Sequence, residues 1–393
     1  MKRREALARI DPTRIIHSAR LVSEGTLIPD SWVAFGGDTV LAAGTGSSWR
    51  SLAADGAPVT DAAGRHLTPG FVDIHCHGGN GVSFDEGGAH IQTALHLHRA
   101  HGTTRSVLSL VTASLPLLEQ RLADAVAAMD DDALIIGVHL EGPFLNERFR
   151  GAHDPSFLRV PDAGAIDRLL DAGRGRLRQV TLAPELPGAG TALTRFRDAG
   201  VAVAVGHSAA DFDTALSAFR AGASILTHAF NAMPGLHHRD PGPVAAALSS
   251  PGVILEIIND GVHLHPEVVR LAFDAAPGRI ALVTDAMAAA GAPDGSYRLG
   301  TLDVTVRDRV ARLTAGGAIA GSTLTLDVAL RRTVTESGVP LVEAVRAITQ
   351  TPARAIGRGS DLGSLSPGFA ADAVILSDSL HVDLVFAAGI RVA

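Results

Sequence analysis

A histidine pair near residue 76 has the spacing of a metal-binding motif. His75 and His77 flank Cys76, the only cysteine, near the end of the apolar run at 71–78. In an extended strand the side chains at i and i+2 point to the same face, so both imidazoles point one way and the thiol the other. Two imidazoles on one face can bind a divalent cation together. We therefore predict that His75 and His77 are ligands and that Cys76 packs against a neighbouring helix, as free cysteines usually do.

Other apolar runs of the chain also end in imidazole or carboxylate side chains. The C-terminal ends of the strands of a (β/α)8 barrel form one mouth, where the active sites of such barrels lie. Four of the histidines, Glu141 and Asp285 would form a site there for Zn²⁺ or a similar divalent cation. The polar residues at the ends of runs are His75 and His77, Glu141, Glu185, His207, His228, Asn259 with Asp260, and Asp285.

The remaining histidines are weaker candidates for a ligand role. His139 lies two residues before Glu141 on the same strand face, one layer deeper, and is expected to be a core group or to support the ligands. His237 and His238 lie in the loop PGLHHRDPG, and no role is assigned to them. Four others lie in a predicted helix, HIQTALHLHRAHG, and are expected to pack against neighbouring elements or to face solvent. These are His90, His96, His98 and His101.

The spacing of the apolar runs predicts the elements that hold these residues. Eight β-like runs alternate with amphipathic stretches such as SLPLLEQRLADAVAAM and HPEVVRLAFDAA. Near-continuous apolar strands are typical of parallel strands buried on both faces, which favours a (β/α)8 barrel of the α/β class. A doubly wound open sheet is the alternative. Shorter β-like runs at both chain ends predict a small sheet-rich unit. The eight runs lie at 71–78, 104–112, 133–142, 177–185, 201–208, 224–231, 253–261 and 279–287.

Composition narrows the classes of protein further. The 393 residues are 46% hydrophobic and 19% charged, as expected of a folded protein with a large core. A net charge of −7 argues against nucleic acid as a partner, since phosphate backbones are bound by basic surfaces. Lys2 is the sole lysine, so an internal catalytic lysine or a carboxylated lysine that bridges metals is excluded. No apolar run approaches the ~20 residues that span a bilayer, and no secretory signal is recognisable, so a cytoplasmic protein is expected.

Longer strings around the same residues resemble a known enzyme family. HCH, HLEGPF, VGHS, THAFNAMP and VTDAM are similar to motifs of the amidohydrolase superfamily. EGPFLNERFRGAHDPSF, THAFNAMPGLHHRDPG, NDGVHLHPEVV and AIAGSTLTLDVA resemble its N-acetylglucosamine-6-phosphate deacetylase family, from about residue 69 to 325. The resemblance implies a metal-dependent barrel that carries a β-sandwich built from both chain ends. On this basis we expect 1–67 and 355–393 to form the sandwich and 68–354 to form the catalytic barrel.

The resemblance also implies the reaction and the metal ligands. Members of the family hydrolyse the acetamide of N-acetylglucosamine 6-phosphate to glucosamine 6-phosphate and acetate. Glu141, His207 and His228 match the ligands of the principal metal. Some members lack the first histidine pair and hold one metal, and others keep the pair and hold two. Because His75 and His77 are present here, a second metal site bridged by Glu141 is expected. Zn²⁺ is the expected metal, with Fe²⁺, Co²⁺ and Mn²⁺ as alternatives.

Asp285 matches the acid–base group of the family. It would take a proton from the metal-activated water and deliver it to the departing amine, with a pure ligand role as the alternative. The metal would stabilise the oxyanion, helped by a nearby histidine. Arg239 matches the family's phosphate contact, and a guanidinium offers a planar fork of donors suited to phosphate oxygens. The expected substrate contacts are His153, Asn231, Ala232, Arg239, His263 and Ile319.

Two other interpretations of the sequence stay open. The first is another deacylase or deaminase of the same superfamily with a different N-acyl substrate, although Arg239 and the NAMP segment favour a phosphorylated sugar. The second is a binding protein without activity on the same scaffold, which the complete ligand set and Asp285 disfavour. The resemblance further implies a homodimer whose ligand is a small phosphorylated amino sugar.

Overall fold

Strands dominate both ends of the chain and alternate with helices between them. A computed structural model describes residues 11–53 and 56–393. The helices, α1 to α10 in chain order, are Gly88–Ala100, Leu115–Asp131, Ala163–Gly173, Ala189–Asp198, Phe212–Arg220, Gly242–Leu248, Pro266–Ala275, Leu326–Thr335, Leu341–Ile348 and Gln350–Ala355. The strands, β1 to β21 in chain order, are Arg14–Ser23, Thr26–Gly36, Thr39–Thr45, Val59–Asp61, His66–Pro69, Phe71–Cys76, Gly78–Gly79, Val82–Ser83, Thr103–Val111, Ile135–Glu141, Leu177–Leu182, Ala202–Val205, Ile225–Leu226, Ile254–Ile257, Ile280–Leu282, Gly295–Leu299, Leu302–Arg307, Val310–Leu313, Ala373–Leu376, Val382–Ala387 and Ile390–Arg391.

Eight parallel strands form the central barrel. Their order in the sheet is β6, β9, β10, β11, β12, β13, β14 and β15, so neighbours in the sheet follow one another in the sequence. Backbone hydrogen bonds at the carboxyl end join β6 to the segment that follows β15, from Asp285 N to His75 O and from His77 N to Ala286 O, both at 2.8 Å. These bonds close the seam between the first and eighth strands. The predicted (β/α)8 barrel is therefore confirmed, and the open sheet is excluded.

Burial on both faces explains the apolar composition of the barrel strands. Every residue of β9 and β10 is buried. On the outside, Leu118, Leu122 and Met129 of α2 recur at helical spacing and join the same apolar core. Helix α5 begins after Asp211, whose side chain accepts a hydrogen bond from Thr214 N and so caps the helix. The buried strand residues, the apolar face of α2 and the cap at Asp211 thus explain locally why the chain alternates between strands and helices.

Both chain ends contribute to a second sheet of eight strands. Its order is β21, β20, β19, β5, β1, β2 and β3, with β4 paired to β1. Successive residues of β2 face opposite sides: Val33 and Phe35 join one apolar cluster, and Trp32 and Ala34 join another. The prediction of a β unit assembled from both chain ends is confirmed.

The boundaries of the two units stay a prediction. We propose the division 1–67, 68–354 and 355–393; the change from end sheet to barrel lies near the first boundary, between Pro69 and Phe71. Residues 1–10, which include Lys2, and residues 54–55 lie outside the described part of the chain.

A three-stranded antiparallel sheet follows the eighth barrel strand, and the sequence did not predict it. It consists of β16, β17 and β18. Leu299, Val304 and Val306 from this sheet share an apolar cluster with Val111 and Met287, which lie at the carboxyl end of the barrel. The insertion therefore stands beside the barrel mouth. Within the described ranges, no helix is long and apolar enough to cross a membrane.

Candidate active site and metal centre

Polar side chains from five barrel strands converge at the carboxyl end of the barrel. Two groups form there, with ligand atoms within 4.8 Å of one another, and Glu141 belongs to both. All the members are buried. The first group is His75, His77, Glu141 and Asp285, and the second is Glu141, His207 and His228.

Glu141 lies at the centre, with both carboxylate oxygens engaged. Its Oε1 lies 3.0 Å from His207 Nε2 and 3.3 Å from His228 Nε2. Its Oε2 lies 3.1 Å from His77 Nε2, and Oε1 lies 3.4 Å from His75 Nε2. One carboxylate therefore faces both groups, as a ligand that bridges two metal ions must.

Asp285 faces the first histidine pair from the end of the eighth strand. Its Oδ1 lies 3.3 Å from His77 Nε2 and 3.5 Å from His75 Nε2. The same side chain lines the cavity above the two groups. Asp285 therefore stands between the metal ligands and the space that a substrate would occupy.

Hydrogen bonds on the far side of two rings determine which nitrogen carries the proton. His207 Nδ1 lies 2.9 Å from the carbonyl oxygen of Phe149, and His75 Nδ1 lies 3.0 Å from Glu256 Oε2. Because both oxygens only accept, each Nδ1 must donate, and each neutral ring then has its lone pair on Nε2. Both lone pairs face oxygens of Glu141, where they would be repelled unless a cation lay between. The donor set therefore fits a divalent metal ion.

The charges of the site also favour a cation. Burial alone would lower the pKa of His75, but Glu141, Glu256 and Asp285 outweigh burial and raise this pKa well above its ordinary value. Burial also opposes the charged form of His77, yet two of these carboxylates, Asp285 and Glu141, raise the pKa of His77 to about 10. Burial would raise the pKa of Glu141, but neighbouring histidines, chiefly His75, hold it well below its ordinary range. Protons and metal ions therefore compete for this site.

Three of these residues have a positive φ angle, a backbone conformation that residues other than glycine rarely adopt. The φ angle is +47° at His207, +26° at His228 and +47° at Asp285. Such a conformation costs on the order of 1–2 kcal/mol per residue. At Asp285 it is held by backbone bonds to His75 O at 2.8 Å and from Ser322 N at 2.7 Å. Strain that the surrounding structure maintains in this way is typical of functional sites.

A cavity of about 310 Å³ opens above the two ligand groups. Most of the predicted substrate contacts line it, whereas Arg239 does not, and its side chain is exposed. Arg148, which the sequence analysis missed, also lines it. The predicted site residues that the cavity brings together are His77, Glu141, His153, His207, His228, Asn231, Ala232, His263, Asp285 and Ile319.

Two histidines of the cavity wall have acidic partners. His153 Nε2 lies 3.4 Å from Glu141 Oε2, and His263 Nδ1 lies 2.8 Å from Asp260 Oδ2. Burial alone would lower the pKa of His263, but the hydrogen bond and charge of Asp260 outweigh burial and raise it. In its charged form His263 has an N–H on both nitrogens, and Asp260 binds only one of them. The other is free to donate to a ligand.

Two polar residues at strand ends serve the fold instead of the cavity. The carboxylate of Glu185 accepts from Asn146 Nδ2 at 2.9 Å and from Ser208 Oγ at 2.7 Å. Asn259 Nδ2 donates to Thr333 Oγ1 at 2.8 Å. Neither residue lines the cavity. A polar residue at the end of an apolar run therefore does not by itself separate a ligand from a residue that ties two segments together.

Cys76 lies on the opposite face of its strand from the two histidines, as the spacing predicts. Its Sγ lies 3.3 Å from Nε2 of His98 on α1, and the same nitrogen lies 2.9 Å from Gly78 O. His98 is buried, so it packs against the barrel rather than facing solvent. Burial raises the pKa of the Cys76 thiol to about 12, so the thiol keeps its proton at neutral pH.

A polar layer lies inside the barrel below the ligands. His139 belongs to it, one layer below Glu141 as predicted, with Nε2 2.9 Å from Thr181 Oγ1. Glu256 of β14 also belongs to it and was missed; it is fully buried and accepts from Gln179 Nε2 at 2.7 Å. A carboxylate inside the otherwise apolar run VILEII was the available signal, because a buried charge needs partners.

Comparison with known proteins agrees with this geometry. The model described as "Amidohydrolase family" matches residues 66–392. The chain belongs to the amidohydrolase family. It is 39% identical to the N-acetylgalactosamine-6-phosphate deacetylase of Escherichia coli O157:H7 over 335 residues, which cover 84% of this chain and 89% of the relative. It is 36% identical to the N-acetylglucosamine-6-phosphate deacetylase of Danio rerio over 347 residues, which cover 84% and 85%.

Solved structures of deacetylases share the whole fold of this amidohydrolase. A mutant N-acetyl-D-glucosamine-6-phosphate deacetylase from Mycobacterium smegmatis, in complex with N-acetyl-D-glucosamine-6-phosphate, has a TM-score of 0.91 and 39% identity, covering 97% of this chain and 99% of that chain. The N-acetylglucosamine-6-phosphate deacetylase from Pasteurella multocida has a TM-score of 0.91 and 27% identity, covering 96% and 99%. The resemblance and the enzyme class predicted from the sequence are confirmed. Amidohydrolases are metal-dependent, and the two groups around Glu141 give this chain a place for the ion.

Proposed function

We propose that this amidohydrolase removes the acetyl group from N-acetylglucosamine 6-phosphate and releases glucosamine 6-phosphate and acetate. The observation that carries the proposal is the position of Asp285, which belongs to a metal-ligand group and also lines a cavity of about 310 Å³. The choice of substrate is supported by the Mycobacterium smegmatis relative, which binds this sugar phosphate and is 39% identical to the chain.

Five residues would hold the metal ions. Glu141, His207 and His228 are the proposed ligands of the principal ion, and His75 with His77 those of a second ion that shares Glu141. A bound divalent ion lowers the pKa of water to about 7 and polarises a carbonyl group. Zn²⁺ is the proposed metal because imidazole and carboxylate ligands suit it, and Fe²⁺, Co²⁺ and Mn²⁺ accept the same ligands.

Asp285 is the proposed general base and general acid. Burial alone would raise the pKa of Asp285, but His75 and His77 outweigh burial and lower it, so the carboxylate is charged at neutral pH. A charged carboxylate at the cavity wall can take a proton from the attacking water and pass it to the amide nitrogen as the C–N bond breaks. That second transfer is needed because an unprotonated amide nitrogen is a poor leaving group.

Residues of the cavity wall are proposed to hold the sugar and its phosphate. Charged His263 can donate to phosphate or to a hydroxyl, and His153 lies beside Glu141, where the acetamide would react. Arg148 lines the cavity, whereas Arg239 is exposed outside it, and both are candidates for the phosphate contact. The remaining proposed contacts are Asn231, Ala232 and Ile319.

Alanine substitutions would separate the two arginines. Replacement of the arginine that contacts phosphate is expected to raise KM for the phosphorylated sugar roughly tenfold or more, because a charge-assisted hydrogen bond is lost. Its effect on the slow turnover of unphosphorylated N-acetylglucosamine should be small. Arg148→Ala and Arg239→Ala are matched in chemistry, so each serves as the control for the other.

A second candidate substrate is the C4 epimer, N-acetylgalactosamine 6-phosphate. The relative from Escherichia coli O157:H7 is named for this sugar and is 39% identical to the chain, against 36% for the Danio rerio relative named for the glucose epimer. The acetamide chemistry is the same in both sugars, and only the hydroxyl at C4 differs. The C4 hydroxyl therefore decides between the two candidates.

Acetate release tests the proposal directly. The purified protein is assayed with both 6-phosphate epimers and with unphosphorylated N-acetylglucosamine, and its metal content is measured on the same sample. We expect kcat/KM for one 6-phosphate sugar to exceed that for the unphosphorylated sugar by at least about 10²-fold. Metal-loaded protein that releases no acetate from either 6-phosphate sugar would overturn the proposal.

Two further features stay predictions. The family resemblance implies a homodimer, and the amino-acid sequence predicts a cytoplasmic protein. Light scattering coupled to size-exclusion chromatography checks the first, and fractionation of the source cells checks the second.

A further inference from the structure

We infer that Glu256 is a positioning residue that makes His75 a metal ligand and thereby controls occupancy of the second metal site. The inference rests on the metal centre of the proposed function and is independent of the substrate. Glu256 is fully buried in β14 and does not line the cavity, so it would touch no substrate. Its effect has to act through the ligands that it contacts.

Three donors surround the Glu256 carboxylate. Its Oε1 accepts from Gln179 Nε2 at 2.7 Å. Its Oε2 lies 3.0 Å from His75 Nδ1 and 3.3 Å from the backbone nitrogen of His228. One buried carboxylate therefore contacts a residue of each ligand group, the ring of His75 in one and the main chain of His228 in the other.

The bond to the His75 ring determines which nitrogen is free to bind metal. A carboxylate oxygen only accepts, so it keeps the proton on Nδ1 and leaves the lone pair on Nε2. That Nε2 faces His77 Nε2 at 3.3 Å and Glu141 Oε1 at 3.4 Å. If the proton were on Nε2 instead, His75 would direct an N–H into the group and could not be a ligand.

The other histidines of the centre show what Glu256 adds. His207 is held in the same tautomer by a neutral acceptor, the Phe149 carbonyl. Within the described part of the chain, Nδ1 of His77 and Nδ1 of His228 are buried without a hydrogen-bond partner. Each group therefore has one ring fixed by an acceptor, and in the group that contains His75 and His77 that ring depends on Glu256. The negative charge of that acceptor also makes the His75 ring a stronger ligand.

It follows that the pair of histidines is not sufficient for a second metal. Without the acceptor, His75 can place its proton on either nitrogen, and the group that contains His75 and His77 loses its fixed ring. The principal group keeps Glu141, His207 and the Phe149 contact. Loss of Glu256 should therefore weaken binding of the second ion and spare the first.

Two substitutions of Glu256 test this on the full-length protein. Glu256→Met removes the acceptor at similar volume. Glu256→Gln keeps an oxygen that can accept from His75. Its NH2 group replaces Oε1, and a half-turn of the Gln179 amide then lets this NH2 donate to Gln179 Oε1, an atom without a hydrogen-bond partner in the described structure. Each protein is stripped of metal and titrated with Co²⁺ followed by visible absorption, and its Zn²⁺ content is measured by mass spectrometry after dialysis.

The expected result is selective loss in one variant. The wild type should bind two ions, Glu256→Met should bind the first normally and the second about 10–100-fold more weakly, and Glu256→Gln should stay close to wild type. Unchanged binding of both ions by Glu256→Met would overturn the inference, as would loss of both ions together with a large fall in Tm. So would equal loss in the two variants, or a single ion in the saturated wild type.

The test is separable from that of the proposed function. Acetate release by the wild type decides the substrate, and the two-step metal titration decides the role of Glu256. A protein that hydrolyses neither sugar phosphate but shows the selective loss in Glu256→Met would refute the proposed function and support this inference.

Discussion

The two ends of the barrel use their polar side chains in opposite ways. At the carboxyl end, imidazole nitrogens lie 3.0–3.4 Å from the carboxylate of Glu141. In their neutral forms, His75 and His207 direct lone pairs at this carboxylate, because other acceptors hold their Nδ1 protons. At the amino end, Arg279 donates to four carbonyl oxygens, two in the last turn of α6 and two in the segment that follows it. Arg354 donates to Gly278 O at 2.6 Å. The ligand groups at the carboxyl end are incomplete without a cation, whereas Arg279 and Arg354 at the amino end have hydrogen-bond partners within the protein.

Size and charge alone would have pointed to the wrong end. The amino-end cleft measures about 1320 Å³, against about 310 Å³ for the cavity at the mouth, and four arginines line it. Two of the four also pair with carboxylates next to the cleft, Arg346 with Glu343 and Arg197 with Asp198. The candidate active site is therefore marked by imidazole lone pairs and carboxylate oxygens that face one another and need a cation between them, rather than by a large or basic opening.

Substitution of Asp285, at the carboxyl end, should cause the largest loss of activity. Asp285→Asn removes the proton acceptor and keeps the volume, so kcat is expected to fall by about 10²–10⁴-fold. Metal content and Tm should stay close to wild type, because Glu141 and the four histidines keep their contacts. Steady-state acetate release and metal analysis measure both. Turnover within a few-fold of wild type would contradict the acid–base role.

Substitution of Arg279, at the amino end, should lower the stability of the protein and leave its activity unchanged. Arg279→Met leaves several carbonyl oxygens without a donor and is expected to lower the free energy of unfolding by about 2–3 kcal/mol, with kcat/KM unchanged at 25 °C. Urea denaturation measures the first quantity. Arg197→Met is the control on the same cleft, because it removes one carbonyl contact, to Ala221 O, and an exposed ion pair, which together contribute about 1 kcal/mol. Lost activity at unchanged stability would show that the cleft has a catalytic role.

The Asp260–His263 pair should give a smaller, pH-dependent effect at the carboxyl end. Asp260 raises the pKa of His263, so the folded protein keeps His263 charged to a higher pH than a free histidine. Asp260→Asn is expected to move the alkaline limb of kcat/KM to lower pH and to reduce kcat/KM roughly tenfold at pH 8, with little change at acidic pH. A pH–rate profile that keeps its alkaline limb would contradict the contribution of charged His263.

Cys76 should give the smallest effect, because it lies beside the centre without belonging to it. Cys76→Ala removes a buried contact with α1 and is expected to cost about 1 kcal/mol of stability. Bound metal and kcat should not change. A fall in metal content would mean that the HCH motif supplies three ligands instead of two.

The barrel could be predicted because its strands are buried on both faces. β9 and β10 are buried throughout, which leaves a continuous apolar run in the sequence. The inserted sheet leaves a weaker signal, because most of β16 and half of β17 are exposed and carry polar residues. Its role beside the mouth depends on contacts with Val111 and Met287, which are distant in sequence.

The ligands could be predicted because parallel strands bring their carboxyl ends together, and the supporting residues could not. His75 and Glu141 are visible as polar ends of apolar runs. Glu256 is partnered by Gln179 and His75 across the barrel interior, and no local spacing encodes that contact. Arg148 lies in a single-turn 3-10 helix, Glu147–Phe149, after β10, which is too short for periodicity to show where its side chain points.

The seam that closes the barrel has a kinetic consequence. Asp73 and Thr284 are 211 residues apart in the chain and are hydrogen bonded across the seam, next to the bonds of His75 and Asp285. Contacts between such distant segments form slowly, because a long loop must close first. Ions held by the five proposed ligands would join the first strand to the third, fifth and sixth strands across the mouth of the barrel. Removal of metal should then speed the opening of the barrel, and the working lifetime of the enzyme at high temperature should follow its metal supply.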